Sequence, residues 1–142
     1  MNEAVRLLQE ARARERAQAL FYRFLAGNAE IEGRPAVAER LNDLLADEQH
    51  HVSRVTARLL ELGERPGEMV DAPEVPSLDA WEVAARLREE DEVRWYEHAV
   101  GVVEDDETRS VFAEILASER HHRDELAGKW MSAEKPPTRK EP

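Results

Sequence analysis

Leu45-Ala46-Asp47-Glu48-Gln49-His50-His51 returns as Leu116-Ala117-Ser118-Glu119-Arg120-His121-His122, and this repeated stretch decides how the chain folds. Each copy holds a Glu-x-x-His: Glu48 with His51, and Glu119 with His122. Residues three apart share a face of an α-helix. One such pair therefore aims a carboxylate oxygen and an imidazole nitrogen at a single point. Two pairs facing each other would hold two metal ions. The repeat extends outward from there. Glu15 is followed by Tyr22 within Glu-(x)5-Phe-Tyr, and Glu89 by Tyr96 within Glu-(x)5-Trp-Tyr. Gly27 and Gly101 each lie five residues beyond the Tyr. Glu119 follows Glu48 by 71 positions and Glu89 follows Glu15 by 74, so the halves differ by a small insertion or deletion between helices. The pattern reads as an internal duplication of one helical hairpin.

Helical periodicity extends this into four segments, and strand-like alternation is absent, which predicts an all-α fold. The first helix is expected from about Glu3 to Ala29. The second starts near Pro35, a favourable first-turn residue, and ends near Leu62-Gly63 with a glycine cap. The third is expected after Ser77 as N-cap, with Asp79 and Glu82 in its first turns, and ends near Val103. The fourth runs from about Asp106 to Trp130. The connections within each half are short, so each half is an antiparallel hairpin. The connection from Gly63 to Ser77 is long and Pro-rich. Its span of roughly 50 Å when extended just exceeds the roughly 42 Å length of the second helix. A four-helix bundle with one long crossover between helices two and three follows. Residues 1–131 would form that domain, and 132–142, charged and containing Pro136-Pro137, a disordered tail.

The proposed ligands interrupt apolar seams. Val37, Leu41, Leu44, Val55, Leu59 and Leu62 share the stripe of Glu48. Phe112, Ile115, Leu126 and Trp130 share that of Glu119, and Leu8, Tyr22 and Ala26 that of Glu15. Ala85, Tyr96, Val100 and Val103 share that of Glu89, although Glu82 and Arg86 approach the same seam. A buried unpaired carboxylate is expensive. Four at matched heights need protonation or divalent metal, and two His arriving with them favour metal. Tyr22 and Tyr96 read first as core residues whose hydroxyls could hydrogen-bond a ligand carboxylate. His50, His98 and His121 fall off the ligand faces, and the three Trp read as core or boundary packing. Glu92, one turn after Glu89, is either a surface acid of the run Glu89-Glu90-Asp91-Glu92 or a seventh ligand that breaks the symmetry. Its counterpart in the first half is Gln18.

Composition narrows the chemistry. The chain has 142 residues, enough for one domain with a proper core. It has no cysteine, which removes disulfides, thiolate zinc sites and iron–sulfur clusters. Any metal must rest on His and carboxylates, a hard donor set suited to iron or manganese. The net charge of −11 argues against nucleic acid as a partner. No apolar run approaches a membrane span, and a polar N-terminus without a signal-peptide core predicts the cytoplasm.

Glu15…Tyr22, Glu48-x-x-His51, Glu89…Tyr96 and Glu119-x-x-His122 resemble the di-iron site of the ferritin-like superfamily, over residues from about 3 to 130. Glu92 resembles the additional third-helix Glu of rubrerythrins and the erythrin group. The resemblance implies two iron ions, with manganese or a mixed pair as alternatives. It implies Glu48 and Glu119 as bridging ligands, Glu15 and Glu89 as terminal ones, and one iron each for His51 and His122. It also implies reduction of hydrogen peroxide or oxygen, or oxidation of ferrous iron. Rubrerythrins typically add a four-Cys rubredoxin domain, so electrons here would come from a separate donor protein or from ferrous iron itself. No Met is placed to mark the haem-bridged dimer of bacterioferritin: Met1, Met69 and Met131 lie in termini and linker. A di-iron peroxidase or oxidase is the leading expectation, with a ferroxidase, a hydroxylase of a larger substrate and a metal-free helical interaction module as alternatives. The long connection can cross its own bundle or exchange helix pairs with a neighbour, and a homodimer is expected.

Overall fold

Asn2 opens the first helix by accepting the Val5 amide on its side chain at 2.8 Å, which satisfies one of the orphan donors of the first turn. Helix α1 then runs Glu3–Ile31, and α2 runs Pro35–Glu61. Gly33 and Gly63 follow the C-caps with φ of 71° and 77°, a left-handed conformation that releases the chain cheaply only at glycine. Helix α3 runs Trp81–Val102, and α4 runs Asp106–Leu126, where the Asp105 carboxylate accepts the Thr108 amide at 3.0 Å. The computed structural model describes residues 2–67 and 71–128. Trp130, the three methionines and the expected tail 132–142 lie outside them.

The start of α3 and the make-up of its seam differ from the sequence reading. Ser77 precedes a short 3₁₀ turn, Leu78–Ala80, and its side chain caps nothing; α3 begins only at Trp81. Burial of Leu78 and Trp81 against the bundle sets that start, so apolar packing rather than a hydroxyl cap decides it. Glu82 and Arg86 also leave the seam: Glu82 pairs with Arg40 and Arg86 with Glu90. Glu82 is exposed and Arg86 half-buried, so neither belongs to the buried seam of α3.

The crossover lies along its own bundle where it is described. Gln9 of α1 donates to the Arg65 carbonyl and accepts the Gly67 amide, both at 2.9 Å, while Arg12 donates to the Gly67 carbonyl. Val75 then packs against the apolar cluster that contains Phe21, Leu41 and Trp81. The buried side chains form two apolar clusters. One gathers Leu8, Val55, Tyr96, Phe112 and Ile115, among others; the second gathers Phe21, Tyr22, Leu41, Trp81 and Leu126. Between these two apolar layers lies a layer of ionisable groups. Among the described residues, no helix is long and apolar enough to cross a membrane.

Candidate metal centre

Glu15, Glu48, Glu89 and Glu119 are each 0 % exposed, and His51 and His122 are 4 % and 1 % exposed. One comes from α1, two from α2, one from α3 and two from α4, as helical spacing requires. They assemble into two groups. Glu15, Glu48, His51 and Glu119 offer ligating atoms within 4.8 Å of one another, and so do Glu48, Glu89, Glu119 and His122. Glu48 and Glu119 belong to both groups. The arrangement is that of two adjacent cation positions sharing two carboxylates.

The orphaned atoms say what the centre is built for. Glu48 Oε2, Glu89 Oε1 and Glu119 Oε2 are buried without a hydrogen-bond partner. Carboxylate oxygens left bare in an apolar core are costly unless a cation meets them. Both histidines turn Nδ1 toward the carboxylates: His51 lies 3.0 Å from Glu48 and 3.2 Å from Glu15, and His122 3.1 Å from Glu119. Burial works against charging His51, but Glu119 and Glu15 raise it to about 10. Burial is likewise outweighed at His122, where Glu119 and Glu89 raise it to about 11. Burial and mutual repulsion push Glu48 and Glu119 well above the ordinary carboxylate range. Burial would also raise Glu15, but the hydrogen bond and charge of His51 bring it below its usual value. Without metal, then, protons on the imidazoles and on the two carboxyls common to both groups take the place of cation charge. The four carboxylates and two imidazoles form a hard oxygen and nitrogen set that fits iron.

The tyrosines cross between the hairpins. Tyr22 of α1 donates to Glu89 Oε2 of α3, and Tyr96 of α3 donates to Glu15 Oε2 of α1, both at 2.6 Å. The duplication thus becomes a pseudo-twofold axis through the site, in which each half orients the other's terminal carboxylate. Replacing Tyr22 by Phe is expected to weaken metal binding at the Glu89 position by about 10–100-fold and to leave the other nearly unchanged, with Tyr96→Phe doing the converse. Stepwise calorimetric titration with manganous ion checks this. Equal weakening of both steps in both variants would show that the hydroxyls act on the bundle as a whole.

Glu92 is buried but belongs to neither group: Arg14 Nε donates to its Oε1 at 3.1 Å. Burial pushes it up to about 7, against the pull of Arg14 and with the push of Glu15. Gln18, its counterpart, donates from Nε2 to Glu89 Oε2 at 3.1 Å and accepts from Arg88. His50, His98 and His121 are exposed and belong to neither group. Sequence reasoning passed over Asp47, whose Oδ2 lies 2.8 Å from His122 Nε2. A carboxylate that accepts Nε2–H fixes the tautomer and presents Nδ1 to the centre. The one signal available was the break in the repeat, Asp47 in the first copy against Ser118 in the second.

The fold and this layer of carboxylates and imidazoles define a ferritin-like bundle built around a pair of metal positions. A family model described as rubrerythrin matches residues 6–129, and the chain belongs to that family. Among solved structures, it is similar to a Mycobacterium tuberculosis bacterioferritin, BfrA, with a TM-score of 0.83 and 20 % identity over 93 % of this chain and 86 % of that one. A second structure of BfrA from M. tuberculosis gives a TM-score of 0.85 at 20 % identity, covering 95 % and 87 %. At that identity the likeness is one of fold. No curated protein matches the chain in sequence.

Proposed function

We propose that this protein is a di-iron oxidoreductase that reduces hydrogen peroxide or oxygen, with electrons returned by a separate donor protein. The observation that supports it most is the pair of buried four-residue groups sharing Glu48 and Glu119, with three carboxylate oxygens left without partners. Glu15, Glu48, His51 and Glu119 would hold one iron, and Glu48, Glu89, Glu119 and His122 the other. A ferrous pair held by these residues would supply the two electrons that, with two protons, convert hydrogen peroxide to two waters. The protein's own part is to hold the carboxylates in place and exclude bulk water. It also has to deliver those protons. Glu92 suits that last task. Its side chain lies under a cleft of about 390 Å³ between α1 and α3, which Arg14, Leu87 and Arg88 help to line, and it exchanges a proton near neutral pH.

Glu92→Gln is therefore expected to keep both metals and to slow peroxide-driven oxidation of the ferrous-loaded protein by about 100-fold. Single-turnover rates with peroxide and with oxygen measure this. A variant that matches wild type with both oxidants would make Glu92 a structural partner of Arg14 and remove it from the chemistry.

A second reading, ferrous iron as the substrate to be oxidised, is favoured by one feature. A cleft of about 290 Å³ between α2 and α4 reaches His122 past Asp43, Asp47 and Glu125, three acids against the one arginine there, Arg40. Acidic walls concentrate cations. Repeated turnover of excess ferrous ion with oxygen alone would favour this reading; a burst limited to the ions bound in the site would favour peroxide reduction.

A further inference from the structure

The duplication is also broken at Gln18 and Glu92, and this break reaches Glu15 and Glu89. Arg14 and Arg88 hold matching places in the two hairpins, and each guanidinium lies over the other hairpin's ring: Arg14 is 5.4 Å from the centre of Trp95, and Arg88 is 4.6 Å from that of Phe21. Each also donates to the residue at the second matching place, Arg14 to Glu92 and Arg88 to Gln18. An arginine has no acceptor. The Gln18 oxygen must therefore face Arg88, which turns its amide nitrogen onto Glu89. Glu92 has no amide to offer Glu15.

The two terminal carboxylates are consequently unlike. Glu89 Oε2 accepts both the Tyr22 hydroxyl at 2.6 Å and the Gln18 amide at 3.1 Å, while Glu89 Oε1 has no hydrogen-bond partner. The two lone pairs of Oε2 are taken by these two donors, and His122 Nδ1 stands 3.7 Å from the same oxygen. Glu15 Oε2 accepts one donor, Tyr96, and Oε1 meets His51. We infer that Gln18, oriented by Arg88, is a positioning residue that confines Glu89 to coordination through Oε1 alone. Glu15 stays free to grip with both oxygens. A metal held by Glu89 and His122 would then keep a place for a small anionic or neutral outside ligand, and His122 is also the histidine that lines the α2–α4 cleft. This rests on the di-metal reading above, and the test separates the two.

Cobalt(II) is the probe metal and azide the probe ligand. Wild type is expected to bind two cobalt ions and one azide per chain. Gln18→Glu keeps an acceptor for Arg88 but removes the amide donor. It should retain two cobalt ions, show weaker visible absorption as Glu89 chelates and raises the coordination number, and bind azide about tenfold more weakly. Glu92→Gln gives Glu15 the second donor and should admit a second azide with stronger cobalt absorption. An unchanged spectrum and azide affinity in Gln18→Glu would overturn the inference. So would loss of one cobalt, because Gln18 would then hold the metal rather than choose its oxygens. Should Gln18→Glu fail to fold, Glu92→Gln decides alone, and one azide with an unaltered spectrum overturns it. Wild type that takes up no cobalt would instead remove the di-metal reading, and this inference with it.

Discussion

Replacing Glu48 or Glu119 by Ala is expected to abolish metal binding at both positions, whereas Glu15→Ala or Glu89→Ala leaves one of the two. The reason is geometric. Glu48 and Glu119 belong to both ligand groups, and Glu15 and Glu89 to one each. Loss of a shared carboxylate strips an oxygen from each position and leaves the other shared carboxylate without its partner cation. The expected fall in affinity exceeds the 10–100-fold typical of losing a group that only supports a ligand. Burial forces metal-free wild type to take up protons on its shared acids, so metal-free Glu119→Gln, which needs none there, is expected to melt a few degrees above metal-free wild type. Metal analysis after equilibration with ferrous or manganous ion, with melting of the stripped proteins, measures both effects. Equal occupancy across the four Ala variants would mean that no carboxylate is shared.

Metal is expected to stabilise the fold, and to do so more as pH rises. An ion at 100 times its dissociation constant adds roughly 2.7 kcal/mol per position, which in a domain of this size raises Tm by about 10 °C. The pH dependence follows from the metal-free protein. His51 and His122 are raised from 6.5 to about 10 and about 11. The stability that this contributes is full below pH 6.5, declines above it, and is lost once pH passes 10 to 11. Glu48 and Glu119, raised by burial and repulsion, act in the same direction, since their buried charge appears only as pH rises. Metal needs all these ligands deprotonated, so its affinity increases with pH and its binding releases protons. The gap in Tm between loaded and stripped protein should therefore widen between pH 6 and pH 9. A gap that is constant, or that narrows, would mean that the cluster does not hold those protons.

Much of the site was legible because helical spacing is local. Glu48 with His51 and Glu119 with His122 could be put on one face from their separation alone. The apolar residues around Glu15 and Glu89 showed that those acids point inward too, and all six side chains are buried together. The start of α3 was not legible, because Ser77 offers a good cap and only the packing of Leu78 and Trp81 overrides it. Asp47 was missed for a similar reason. It lies one position off the ligand face of its own helix, and only the placement of α4 puts it against His122.

The sequence by itself therefore determined four helices, two duplicated hairpins and six inward-facing Glu and His side chains, since each follows from spacing along one helix or from a short connection. The tertiary structure alone decided which carboxylates are common to both groups, that Tyr22 reaches Glu89 while Tyr96 reaches Glu15, and that Arg14 and Arg88 give Glu92 and Gln18 different tasks. Those relations join residues of different helices, in most cases of different hairpins. Their heights and distances are set by how the hairpins pack, which no spacing along one chain segment records.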